Sequence, residues 1–274
     1  MGALTVIIVR LLAPVDAYAG RTEPVASYAI DVRLDTEAKT LTGREVVTYT
    51  NRTDEPIPDL VFHLYLNAFS STETMWMREA GPQHRGFSYN PNHPGWIEVG
   101  EIRLEDGTML SLEPVDSDRT LVRTALPEPV PPGDSVRIEL AFEAQLPRVF
   151  ARTGWADGGD FVMAGQWFPK FGVWEDGAWN AYPFHANSEF YADFGTYRVD
   201  LTVPEGWIVG ATGERIGDEV VSDDAGTVTV QFQAEHVIAR VRQAHSRDQP
   251  HVADAHNRQL HDPASSRLPG QFSE

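Results

Sequence analysis

Tyr197-Arg-Val-Asp-Leu-Thr-Val-Pro204 is the stretch of this chain that indicates its fold class. Apolar and polar residues alternate through it, and a period of two is what a β-strand with one buried face requires. Pro204 ends the strand because proline cannot donate a hydrogen bond to the next strand. A second extended run follows at 208–211, after Gly206. The stretch therefore predicts two half-buried strands joined by a tight turn.

The same alternation recurs on both sides of this stretch. Residues 27–35 and 40–51 alternate and are separated by the turn-rich sequence Asp35-Thr-Glu-Ala-Lys39, which predicts an antiparallel hairpin. A final hairpin is predicted from 219–221 and 226–234. These regular short strands predict an all-β fold, an antiparallel multi-sheet saddle or β-sandwich. Further strands are predicted at 59–66, 96–104, 109–112, 120–126 and 135–144.

Large aromatic residues are concentrated just before the central strands. Four of the seven tryptophans, at positions 155, 167, 174 and 179, fall between residues 155 and 179. Such a concentration of rings is typical either of packing between two sheets or of a cleft wall, and packing is the commoner use. The interval 68–94 has no sustained period and only a weak helical pattern at 71–80, so a long loop is predicted there.

Composition excludes several classes of function. The chain has 274 residues, 42% of them apolar, and its 22 basic and 40 acidic residues give a net charge of −18. Nucleic acid is therefore not an expected partner, because that affinity depends on clustered cations. Cysteine is absent, which excludes disulfides, thiolate metal sites and cysteine nucleophiles.

Both ends of the sequence differ from its middle. Residues 1–20 form an apolar leader in which Ala17-Tyr18-Ala19 has the pattern of a signal-peptidase site. A signal peptide, which would send the chain to the periplasm or the exterior, and an unstructured leader are the two interpretations. The apolar run is too short to predict a transmembrane span.

Residues 237–274 form a tail with no tryptophan or tyrosine, and its five arginines exceed its four acidic residues. This composition predicts disorder, because it offers little apolar surface to offset the entropy lost on ordering. The tail is rich in the residues that a shifted reading frame of GC-rich DNA encodes, so we hypothesise a frameshift near codon 236. Its four histidines are expected to be solvated.

Several separated motifs resemble one known domain. They resemble the N-terminal domain of aminopeptidase N-like zinc metallopeptidases, over roughly residues 21–236. That resemblance implies an all-β saddle that packs against a catalytic domain and forms one wall of the substrate cleft, with Gln166 and Trp167 as the candidate residues of that wall. The matching motifs are Gly165-Gln-Trp-Phe-Pro-Lys170, residues 189–194, Tyr197 to Gly213, Tyr28 to Leu34 and Leu64 to Phe69.

The catalytic signature of that family does not occur in this sequence. The family binds zinc through His-Glu-x-x-His, and no histidine here is followed by glutamate. We therefore expect a non-catalytic domain of a truncated enzyme, with no catalytic residue, no metal ligand and no cofactor of its own. The expected partners are a separately encoded catalytic domain, which would carry the zinc, or a peptide substrate.

Two alternatives remain open at this point. The first is a free-standing β-sandwich module that binds carbohydrate or protein, in which Trp155, Trp174 and Trp179 would be exposed and coplanar. The second is a retaining or inverting glycosidase, which would need two carboxylates that face one cleft. Single histidines are a separate question. His63 could bind a metal, but a packed and hydrogen-bonded histidine is the favoured interpretation, and a metal at His84 and His93 is disfavoured.

Overall fold

The computed structural model describes residues 23–156, 158, 160–187, 190–222, 226–237 and 241–246. The leader, residues 1–20, and most of the tail after residue 237 lie outside these ranges, so the predictions made for them are not tested. No described helix is both long enough and apolar enough to span a membrane.

Nearly all of the regular secondary structure in the described residues is β-strand. One α-helix, α1 (Met75–Ala80), and a 3-10 helix (Tyr65–Phe69) accompany the strands in the described residues. The first ten strands are β1 (Ala26–Asp35), β2 (Thr40–Thr50), β3 (Ile57–His63), β4 (Gln83–His84), β5 (Phe87–Ser88), β6 (Trp96–Leu104), β7 (Glu113–Pro114), β8 (Leu121–Val130), β9 (Ser135–Gln145) and β10 (Gly154–Trp155). The others are β11 (Phe161–Gly165), β12 (Lys170–Phe171), β13 (Val173–Glu175), β14 (Ala178–Asn180), β15 (Gly195–Pro204), β16 (Trp207–Gly210), β17 (Glu214–Ser222), β18 (Thr227–Val237) and β19 (Val241–Ser246).

A seven-stranded sheet in the order β17-β18-β15-β1-β2-β9-β6 forms the largest layer. Its pairs are antiparallel except β1 and β15, which run parallel with Tyr28 opposite Tyr197. β1 and β15 alternate between buried and more exposed residues along their whole length. The predicted hairpins β1–β2 and β17–β18 and the predicted all-β class are confirmed.

A second sheet, in the order β12-β3-β8-β7, packs against the large sheet through aromatic rings. Phe171 of β12 stacks on Phe62 of β3 with ring centroids 4.6 Å apart, and it meets Tyr28 and Tyr49 of the large sheet at 6.1 and 4.9 Å. Aromatic pairs of this kind add to the free energy gained by burying their surface. The two sheets therefore share one core.

Proline changes the second sheet locally. β8 was predicted to end at residue 126, but it continues through two prolines to Val130. The register between β3 and β8 shifts between the pairs Asp59–Ala125 and Ile57–Val130. Pro127 and Pro129 fall within this irregularity, where proline's missing N–H costs no ladder bond. The strand expected at 109–112 is not formed, and Met109 makes only an isolated bridge with Arg103.

A third sheet, in the order β10-β11-β19-β16, includes part of the tail. Val241–Ser246 forms β19 and pairs antiparallel with β11 and β16. These six residues of the tail therefore have strand geometry.

The predicted long loop contains more structure than its sequence indicates. Helix α1 begins after Thr74, whose side chain accepts a hydrogen bond from the backbone N–H of Met77. Trp76 of this helix is buried against Phe69 and Phe150, with centroids 5.2 and 5.4 Å apart. Tertiary packing therefore holds a helix too short to be stable by itself.

Candidate functional site

A cavity of about 420 Å³ opens where the 3-10 helix, the turn before β10 and the end of β11 meet. Four aromatic side chains, one amide and one guanidinium dominate its lining. A concave, mostly apolar space with a few polar groups is the usual form of a small-molecule site. The lining residues are Tyr65, Leu66, Phe69, Ala151, Arg152, Thr153, Gly165, Gln166, Phe184 and Phe190.

Gln166 occupies the polar part of this wall. It directly follows β11, is 7% exposed, and has a φ of +54°, in the left-handed region that residues other than glycine rarely adopt. Ala151 and Arg152 on the facing turn also have positive φ values, of 44° and 68°. Backbone strain of this kind is concentrated at sites where the surrounding structure fixes a side chain in place.

Lys170 lies immediately behind the cavity wall. Its ammonium nitrogen Nζ donates a hydrogen bond to Gln166 Oε1 at 3.2 Å and lies 5.1 and 5.8 Å from the ring centroids of Tyr65 and Phe190. All three of these neighbours line the cavity. The side chain is 1% exposed, and this burial lowers the pKa of Lys170 to about 7. A large fraction of the amine is therefore neutral at physiological pH.

His63 completes this buried polar group. It stands opposite Lys170 in the β3–β12 pair and stacks on Tyr65 with centroids 4.5 Å apart and planes 5° apart. Burial, and secondly the charge of Lys170, lower the pKa of His63 to about 3, so the ring is neutral. Among the described residues neither ring nitrogen has a hydrogen-bond partner. The histidine is packed as expected, but the expected hydrogen bond is not found.

The two residues predicted for a cleft wall have different positions. Gln166 lines the cavity, whereas Trp167 is 3% exposed and packs against Phe168 and Phe142 in the core, with centroids 5.2 and 5.9 Å apart. Lys170 and Tyr65 were not predicted to be neighbours of Gln166. A signal was present, because Lys170 closes the Gly165–Lys170 motif and is one of only two lysines in the chain.

The described residues do not fit a zinc ion. No three histidine, aspartate or glutamate side chains in this part of the chain converge on a common point. His84 and His93 instead lie edge-on to Trp76 and Trp155, with ring centroids 5.1 and 5.0 Å apart.

The tryptophans do not form a flat stacking platform. Trp174 and Trp179 meet at 76° with centroids 5.4 Å apart, and Trp155, Trp174 and Trp179 are all partly buried. Trp179 Nε1 also donates a hydrogen bond to Asp59 Oδ1 at 2.7 Å. The exposed, coplanar arrangement that sugar stacking requires is therefore not present at this pair.

Comparison with known proteins identifies the fold. No family model matches the sequence, and no curated protein sequence does. Among solved structures, the M1 zinc metallopeptidase from Deinococcus radiodurans matches 81% of this chain with a TM-score of 0.51 and 15% identity. The chain has the fold of part of an M1 zinc metallopeptidase. The resemblance predicted from the sequence motifs is thus confirmed at the level of the fold.

Two further structures support the same assignment. Two-domain M1 zinc metallopeptidase E323A mutants, one bound to L-tryptophan and one to L-arginine, each match 81% of the chain with TM-scores of 0.50 and 16% identity. This chain spans only 42% of the length of each of these M1 enzymes. The match is therefore to a portion of the metallopeptidase.

Proposed function

We propose that this chain is the N-terminal β domain of a zinc aminopeptidase-like protein and that it shapes the substrate cleft without performing the chemistry. The observation that carries the proposal is the fold: 81% of the chain superposes on an M1 zinc metallopeptidase, while only 42% of that enzyme is matched. The sequence supports the non-catalytic role because it contains no His-Glu-x-x-His.

In this proposal the cavity beside Gln166 belongs to the cleft wall. Gln166 offers an amide that can accept and donate hydrogen bonds, and the four aromatic rings of the lining offer apolar surface for a peptide side chain. Trp167 directly follows Gln166 and is buried against Phe168, so it anchors the segment that carries Gln166. In this proposal the zinc and its ligands belong to a catalytic domain that is not part of these 274 residues.

The experiment that tests the non-catalytic role is an aminopeptidase assay of the purified chain. Leucine, tyrosine and arginine 4-nitroanilides are incubated with the chain in the presence and absence of zinc, and the Deinococcus radiodurans enzyme serves as the positive control. We expect release of nitroaniline at the rate of the buffer blank. Zinc-dependent turnover that co-purifies with the chain would contradict the proposal.

The role of Gln166 is tested separately, by binding. Tryptophan amide is titrated against the chain and against Gln166→Ala, with Gln145→Ala as a matched control because Gln145 lies on β9 and does not line the cavity. We expect Gln166→Ala alone to weaken binding, by about 3- to 10-fold for one lost hydrogen bond. Equal affinities of the chain and Gln166→Ala for tryptophan amide would show that the Gln166 side chain does not contribute to ligand binding.

A further inference from the structure

The amine of Lys170 is a chemically distinct group that the cleft-wall role does not use. Its Nζ contacts one amide and two aromatic rings, those of Gln166, Tyr65 and Phe190, and each of these also lines the 420 Å³ cavity. Only one layer of side chains therefore separates the amine from the cavity. A lysine amine held in apolar surroundings is the form in which lysine acts as a nucleophile toward carbonyl groups.

The surroundings favour the neutral amine over the ammonium ion. Within the described residues no carboxylate pairs with Lys170, and its titratable neighbours are His63 and Tyr65. His63 is neutral, and burial raises the pKa of Tyr65 above its ordinary value, so neither supplies a negative charge. Burial lowers the pKa of Lys170 to about 7. About half of the amine is then neutral at pH 7, against about 1 in 2,500 for an ordinary lysine.

The cavity selects the kind of carbonyl compound. Four aromatic residues line it, and aromatic rings pack well against a flat aromatic body. They are Tyr65, Phe69, Phe184 and Phe190. A volume of 420 Å³ is at the lower end of the range for small-molecule sites, and it has room for one or two rings.

We propose that the cavity binds a small aromatic aldehyde and that Lys170 Nζ forms an imine with its carbonyl carbon. The nitrogen lone pair attacks the carbonyl carbon, and the proton released by the nitrogen passes to the carbonyl oxygen to give a carbinolamine. The hydroxyl group then leaves with a second proton from the nitrogen as water, and a C=N bond forms. The step needs no oxidant or reductant, and hydrolysis reverses it.

Gln166 is the cavity-lining residue that is hydrogen-bonded to the amine. Its Oε1 accepts the hydrogen bond from Nζ, so an aldehyde that reaches Nζ from the cavity has to displace this contact. Removal of this side chain should expose the amine. This inference does not depend on the proposed function, because the adduct forms whether or not the domain serves a peptidase.

The chain is well suited to the test because it contains only two lysines, Lys39 and Lys170. The folded protein is incubated with benzaldehyde at pH 7, the imine is trapped with cyanoborohydride, and peptide mapping by mass spectrometry gives the rate at each lysine. Lys39, at the turn between β1 and β2, is the internal reference. We expect Lys170 to be labelled at least 10-fold faster than Lys39. Labelling of Lys39 or the terminal amine in preference to Lys170 would overturn the proposal.

Two further measurements separate the cavity from simple amine reactivity. Benzyl alcohol, which can occupy the cavity but cannot form an imine, should slow labelling of Lys170 and leave Lys39 unchanged. Gln166→Ala should speed labelling of Lys170 by several-fold, and Gln145→Ala should not. If benzyl alcohol slowed labelling equally at both lysines, or if Gln166→Ala did not speed labelling of Lys170, the aldehyde would not reach Lys170 through the cavity, and the proposal would be wrong. Since the rates are mapped on the wild-type chain, the proposal stays testable if Lys170→Met fails to fold.

Discussion

Lys170 and His63 lie directly opposite each other in the antiparallel pair of β12 and β3, and both are buried. Two basic side chains this close cannot both be protonated without strong mutual repulsion. Burial, and secondly the charge of Lys170, keep His63 neutral, and burial lowers the pKa of Lys170 to about 7. The cost of burying the amine should appear in the stability of the fold.

Replacement of the lysine should change how stability depends on pH. The folded pKa of about 7 is below the unfolded value of 10.5, so between these values the unfolded chain binds a proton that the folded chain has released. Wild-type stability therefore gains up to about 1.4 kcal/mol per pH unit as pH rises from 7 toward 10. Lys170→Met lacks this gain. We expect it to be more stable than wild type at pH 7, by about 4 kcal/mol from the burial of the amine, with the advantage shrinking toward pH 9.

Urea unfolding at pH 7, 8 and 9 measures this difference. His63→Leu is the control, because His63 is neutral in the folded chain and mostly neutral in the unfolded chain from pH 7 upward, so its effect should change by only about 0.2 kcal/mol over this range. A Lys170→Met advantage that is the same at all three pH values would show that the amine is not buried as described.

Glu45 should show the opposite pH dependence. It lies on the inner face of β2, is fully buried, and neither carboxyl oxygen has a hydrogen-bond partner among the described residues, so burial raises its pKa well above 4.5. The folded chain retains a proton that the unfolded chain loses above pH 4.5, and stability therefore falls as pH rises from there. Glu45→Met should be more stable than wild type at pH 7, and its advantage should shrink below pH 4.5.

The matched control for this change is Glu143→Gln, because Glu143 is exposed on the neighbouring strand β9. Thermal unfolding of the three proteins from pH 4 to pH 7 provides the comparison. A pH-independent effect of Glu45→Met, or an equal effect of Glu143→Gln, would contradict the buried-acid assignment.

Alanine substitutions at two glycines measure the cost of backbone strain separately from the cost of a steric clash. Gly206 and Gly213 have φ values of +90° and +95°, but only at Gly213 does a Cβ meet neighbouring atoms, the carbonyl oxygen of Gln233 and the side chain of Ala234. Gly206→Ala should therefore cost about 1 kcal/mol for the strained backbone alone. Gly213→Ala should cost at least about 2 kcal/mol more. Urea unfolding at pH 7 tests both, and equal costs would show that β18 does not approach Gly213 closely.

Phe171 should contribute more to stability than any exposed ring. It packs against Phe62, Tyr28 and Tyr49 where the two sheets meet, and it is 3% exposed. Phe171→Ala should cost about 3–5 kcal/mol, because it leaves a cavity between the sheets. Tyr182→Ala is the control, since Tyr182 is 70% exposed and should cost less than about 0.5 kcal/mol. Similar losses from both changes would contradict the shared core.

Alternation predicted the strands that have one uniform buried face. β1 and β15 were located to within one or two residues, because their inward positions are all apolar or small. The parallel pairing of β1 with β15 was not predicted, since two strands more than 150 residues apart carry no local signal of their pairing. Helix α1 was only weakly indicated, because packing of Trp76 rather than local propensity holds it.

The candidate site was only partly predictable. Gln166 lies in a motif that the sequence singled out, but the cavity that it lines depends on contacts between the 3-10 helix, the turn before β10 and β11 that only the folded chain brings together. Glu45 was not predicted to be buried, because an acidic residue at an inward position of β2 breaks the apolar alternation of that strand. Lys170 was overlooked because sequence alone does not show burial.

The central claim, a β domain without its own catalytic zinc site, is tested most directly by competition for zinc. The dialysed chain is mixed with one equivalent of zinc and a chromophoric chelator of nanomolar affinity, and the same samples are assayed with leucine 4-nitroanilide. A variant with the tail histidines replaced by alanine controls for loose binding there, at His245, His251, His256 and His261. The account predicts that the chelator takes all the zinc and that no substrate is hydrolysed. One zinc retained per chain, together with turnover, would contradict it.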